Sequence, residues 1–71
     1  MAQEAIIRKL NPYELHGVLY FQMFLSYTDT PDMVNEVRLA HDVVYPSPAE
    51  GDVVTVEKLL SIVTAVKKKE P

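Results

Sequence analysis

Seventy-one residues without a cysteine make one small domain at most and exclude both disulfides and thiolate metal sites. A chain of this length buries only about 60% of the surface its unfolded form exposes, so an efficient core or a partner subunit must supply its stability. The formal net charge is −3, and residues 1–66 alone carry four basic side chains (Arg8, Lys9, Arg38, Lys58) against nine acidic ones, a balance of −5; such a surface repels phosphate and disfavours general DNA or RNA binding.

The opening "MAQEAIIRKL" has no basic segment followed by an apolar stretch of signal length. The longest nearly apolar run, "GVLYFQMFLSY", is far short of the roughly 20 residues of a membrane helix. With no cysteine, the expectation is a soluble, cytoplasmic protein. Its hydrophobic share of 48% is that of a folded chain rather than a disordered one.

Turn residues divide the chain. "NPYELHG" (11–17) carries Asn-Pro and a glycine, "TDTPD" (28–32) clusters Thr, Asp and Pro, and "YPSPAEGD" (45–52) holds two prolines and a glycine. Proline presets φ, glycine permits φ > 0, and Asp or Asn bonds its own backbone, so each stretch reads as a turn or loop. Residues 4–10, before the first of these, read as a short strand ending at Asn11-Pro12, although Ile6 and Ile7 stand side by side and weaken its alternation.

Residues 18–27 alternate cleanly. Leu19, Phe21, Met23, Leu25 and Tyr27 share one face, while Val18, Tyr20, Gln22, Phe24 and Ser26 share the other. That is the period of a strand lying on a core, and the aromatic content agrees. In residues 34–45 a helix would separate Leu39 and Val43 from Val34, Val37 and Val44. A strand places Val37, Leu39, His41, Val43 and Tyr45 on one face and makes a hairpin with the preceding strand. Matching the apolar faces sets Leu39 near Phe21 and Val37 near Met23.

The last segment, "GDVVTVEKLLSIVTAVKKKE", holds two patterns. On a helical wheel Val56, Leu59, Leu60, Ile62, Val63 and Val66 fall within an arc of about 160°. Eight β-branched residues and the "GDVVTV" entry after a Pro/Gly loop argue for strands. A two-stranded hairpin with one further strand is also a poor sheet. Strand, a short helical turn at 57–60, and strand is the preferred reading.

The expected fold is therefore all-β: five antiparallel strands in a small SH3-like meander barrel. The alternative is an α+β arrangement with three strands and a C-terminal helix over 56–69. Residues 67–71, with Lys67, Lys68 and Lys69, read as a mobile charged tail that keeps the end of the chain in water.

No motif carries catalysis. His16 and His41 are the two histidines and are expected on opposite faces, so they do not share an ion. Ser26, Ser47 and Ser61 lack nucleophile-elbow glycines, and the two glycines, Gly17 and Gly51, build no phosphate loop. The expectation is no enzyme, no metal and no cofactor. The second face of the long strand is more telling. Val18, Tyr20, Gln22 and Phe24, with Arg38 across the hairpin, form an aromatic patch rimmed by charge, the composition of a partner surface. The reading is a non-enzymatic interaction module, self-associating or binding a protein partner through that face. A second core layer could cover it instead. The alternative function is a nucleic-acid-binding barrel that stacks bases on Tyr20 and Phe24, with Arg38 as its sole phosphate partner on the face and the lysine tail (Lys67, Lys68, Lys69) beyond it.

Overall fold

In the computed structural model, which describes residues 2–69, the sheet is anchored on β2 (Val18–Tyr27). Met23 and Leu25 are fully buried and Tyr27 nearly so, on the face that the alternation assigns to the core. Around β2 lie β1 (Ala2–Leu15), β3 (Asn35–Ala40), β4 (Val53–Leu59) and β5 (Ile62–Lys68), in the spatial order β3-β2-β1-β4-β5 and all antiparallel. The expected hairpin register is present: Phe21 stands opposite Leu39 and Met23 opposite Val37. The C-terminal helix over 56–69 does not form.

β1 is longer than residues 4–10. It runs through Asn11-Pro12 to Leu15 and pairs with β2 along its length, whereas only residues 2–6 pair with β4. Beyond Leu10 no strand pairs with the outer edge of β1. A proline lacks only an N–H, so it is tolerated where no neighbouring strand requires one. A bulge between Ile7 and Lys9 gives β1 an extra residue opposite β2. Alternation therefore restarts, and Ala5, Ile7 and Leu10 all reach the core. The turn to β2 uses two residues, His16 (φ 53°) and Gly17 (φ 79°). Two left-handed residues are the type I′ requirement, whose twist matches the strands it joins.

β3 stops at Ala40, short of the expected 34–45. A single 3₁₀ turn, His41–Val43, then swings the chain off the sheet edge. Val43 and Tyr45 still pack on the core, but His41 is exposed. Val44 forms a lone parallel bridge with Val66, and Tyr45 donates its backbone N–H to the Val66 carbonyl at 3.2 Å. Among the described residues this isolated bridge is the only strand-type pairing between the two edges, so the sheet does not close as a barrel. Closure requires the outer strands to pair along their length at a fixed stagger. The six residues of β3 and seven of β5 approach each other but form no ladder among the described residues.

Loop 44–52 returns the chain to β1 at the bulge. Ile7 donates to the Asp52 carbonyl (3.0 Å), Gly51 donates to the Ile7 carbonyl (2.7 Å), and the Leu10 N–H reaches the Glu50 carboxylate (3.1 Å). β4 then adds Val54 and Val56 to the core, and β5 adds Val66. The helical turn expected at 57–60 is absent. Leu59 pairs with Ile62 across a two-residue turn, Leu60 and Ser61. A bulge at Thr64 lets both Val63 and Val66 face inward.

A candidate interaction face

The residues singled out on the second face of β2 do come together. Tyr20 lies opposite Tyr13 and Ala40, Gln22 opposite Asn11 and Arg38, and Phe24 opposite Lys9 and Glu36. Three strands thus present one patch. Val18, Tyr20 and Phe24 do not belong to the core cluster or pack against it, so no second core layer forms over them. Tyr20 and Phe24 are half-buried by their strand neighbours, while Val18 and Leu15 at the turn are exposed.

At the turn end of the face the rings of Tyr13 and Tyr20 stack, with centroids 5.6 Å apart and planes 16° from parallel. A cross-strand aromatic pair of this kind stabilises the hairpin. Beside it, Asn11, Tyr13, Leu15, Gln22 and Arg38 line a depression of about 390 Å³.

Asn11, Gln22 and Arg38 of that lining belong to a polar chain. Asn11 donates its amide N–H to Gln22 Oε1 at 3.3 Å, and Gln22 in turn donates Nε2–H to Glu36. Arg38 closes on the same Glu36 oxygen through Nε (3.3 Å) and Nη2 (3.1 Å). The Gln22 hydrogen bond, followed by those from Arg38, holds the Glu36 carboxyl below the usual carboxylate range. Arg38 is 64% exposed, so the pair adds little stability, but it holds the guanidinium beside Glu36 and offsets its charge.

The other half of the same sheet face is ionic. Lys67 bridges to Glu57 at 2.9 Å, and Lys69 pairs with Glu4. Hydrogen bonding from Lys69, then from Thr28, holds the Glu4 carboxyl below its ordinary range. Lys67 and Lys68 belong to β5, and Lys69 donates its backbone N–H to the Val53 carbonyl. Of the residues read as a charged tail, Glu70 and Pro71 lie outside the described residues.

Tyr13, Asn11 and Leu15 belong to the face although sequence reading placed them in a turn. Their signal is the odd-numbered series Lys9, Asn11, Tyr13, Leu15, which continues a strand straight through Pro12. His16 sits in the β1–β2 turn and His41 in the 3₁₀ turn. Among the described residues, no three His, Cys, Asp or Glu side chains are grouped to hold a metal ion, and no helix is long and apolar enough to cross a membrane. No known protein family, curated protein or solved structure matches the chain.

Proposed function

We propose that the chain is a non-enzymatic interaction module that docks protein on the Tyr13/Tyr20 face, with a second copy of itself as the simplest occupant. The observation that carries this reading is the stacked tyrosine pair, Tyr13 exposed and Tyr20 half-buried, beside the Asn11–Gln22–Glu36–Arg38 chain. Aromatic centres with hydrogen-bonded polar rims are what interfaces are built from. A 71-residue chain without disulfides also gains stability from covering such a face. A cysteine-free chain suits a reducing, cytoplasmic setting.

The nucleic-acid alternative loses ground because Arg38, Lys67 and Lys69 are each engaged by a carboxylate of the same chain. Neutralising phosphate would require breaking those pairs.

Size-exclusion chromatography with light scattering tests the proposal, alongside nitration of tyrosines read by mass spectrometry. The expected mass exceeds 8.0 kDa and rises with concentration, while Tyr13 and Tyr20 become protected over the same range. The double variant Tyr20→Ser/Phe24→Ser should return the chain to a monomer. An 8.0 kDa particle at every concentration, with Tyr13 and Tyr20 slow to react throughout, would sink the reading. Binding of a single-stranded oligonucleotide that collapses with added salt would transfer the face to the alternative.

A further inference from the structure

β1 is the middle strand of the sheet, yet β4 pairs only with its residues 2–6. From there the loop before β4 takes over the outer side. Ile7 donates to the Asp52 carbonyl and accepts from Gly51, and the Leu10 N–H reaches the Glu50 carboxylate. These bonds identify the backbone groups of β1 that point away from β2. The register with β2 runs without a shift from Lys9 to Leu15, so strand alternation carries the outward positions from Leu10 to Pro12 and Glu14.

A further strand laid along this edge would meet those three residues. At Leu10 the donor is occupied by a side chain 40 positions along the chain. At Pro12 there is no donor at all. One residue earlier or later, the missing N–H would fall on the β2 side and remove a ladder bond. Glu14 keeps its donor but carries a charge and is exposed. Native sheets guard bare edges with proline, with charge or with a covering loop, and this short stretch combines all three.

The effect on self-pairing can be followed bond by bond. Two such edges related by a two-fold axis would match residue 12 with residue 12 and Leu10 with Glu14, with every outward N–H facing a carbonyl. In the native chain the pair at residue 12 has no donors, and the Leu10 donors are already taken. Only the Glu14 donor of each copy survives. We propose that Glu50, acting with Pro12, is a guard that closes the outer edge of β1 to strand addition by a second copy. Glu50 supplies the oxygen that a neighbouring strand's carbonyl would supply, and assembly is left to the faces of the sheet instead of its continuation.

Amide hydrogen exchange read by NMR, with light scattering for mass, tests the guard. In the parent the Leu10 amide should exchange slowly and the Glu14 amide fast at every concentration. Glu50→Ala should speed Leu10 exchange about tenfold, the loss of one charge-assisted hydrogen bond. Glu50→Gln, which keeps an acceptor oxygen, should stay near the parent. The double variant Pro12→Thr/Glu50→Ala should gain a new association in which the Glu14 amide becomes protected as concentration rises. That association should survive added Tyr20→Ser/Phe24→Ser, which separates it from docking on the tyrosine face. Unchanged Leu10 exchange in Glu50→Ala would overturn the guard even if the double variant failed to fold. So would a folded double variant whose mass follows the parent's, or a parent whose Glu14 amide is protected on association, since its edge would then already be in use.

Discussion

Tyr45 ties together the segment that leaves one edge of the sheet and returns to the middle, and Tyr45→Phe isolates that tie. Its hydroxyl donates to Asp52 Oδ2 at 2.5 Å, and the same oxygen accepts the Ala49 N–H at 3.2 Å. A hydrogen bond to a charged acceptor contributes about 1.5–3 kcal/mol. Asp52 keeps its Ala49 donor and some water in the variant, so the expected loss is about 1–2 kcal/mol. That compares with a total of roughly 4–11 kcal/mol for a chain of this size, and it lowers the melting temperature by about 4–8 °C per kcal/mol. Burial first, then the hydrogen bond to Asp52 and its charge, raise the Tyr45 phenol above its ordinary pKa. The unfolded phenol ionises near pH 10, so the contribution is complete below that pH and fades as pH climbs above it. Urea titrations followed by far-UV circular dichroism should show parent and variant separated by about 1–2 kcal/mol at neutral pH. The gap should narrow above about pH 10. Equal stability at neutral pH, or a gap that holds unchanged well above pH 10, would refute the reasoning.

Two further substitutions probe the core and the first turn. Leu25 is fully buried, so Leu25→Ala should cost about 2–5 kcal/mol and leave much of the protein unfolded in a thermal melt; a loss below about 1 kcal/mol would mean the core is not packed as described. Gly17 has φ 79° and an added Cβ would meet nothing within 4 Å, so Gly17→Ala should cost about 1 kcal/mol through backbone conformation alone, and an unchanged denaturation midpoint would rule out the type I′ turn.

Where alternation is unbroken, the sequence is a good guide. Phe21, Met23, Leu25 and Tyr27 take the face their period assigns, and the pairing of Leu39 with Phe21 follows from matching apolar sides. Each misreading has a local cause. The bulge at Thr64 brings Val63 and Val66, three apart, to one face, which mimics helical spacing on a wheel. Leu59, Leu60 and Ile62 completed that wheel, yet they are exposed at the hairpin tip. The bulge after Ile7 likewise disguises β1. Pro12 resembles a terminator because a sequence does not say which edge of a strand is open. Tyr20, Gln22, Phe24 and Arg38 were legible as a face for the same reason as the core. Asn11 and Tyr13 are not, since Asn11-Pro12 has the composition of a strand end. The open barrel depends on how β3 and β5 meet in space, which no local pattern encodes.

The pairing of residues 2–6 with residues 53–57 has a consequence for the order in which the protein is made. The β1–β2 and β4–β5 hairpins are local and need little chain to close. Ala5, however, finds Val54, and Gln3 finds Val56, only after β2, β3 and the loop 44–52 have been synthesised between them. Closing so long a loop sets the entropic barrier of the sheet. A nascent chain on the ribosome therefore carries its first β-strand half-covered, with the second half of its shelter still to be translated.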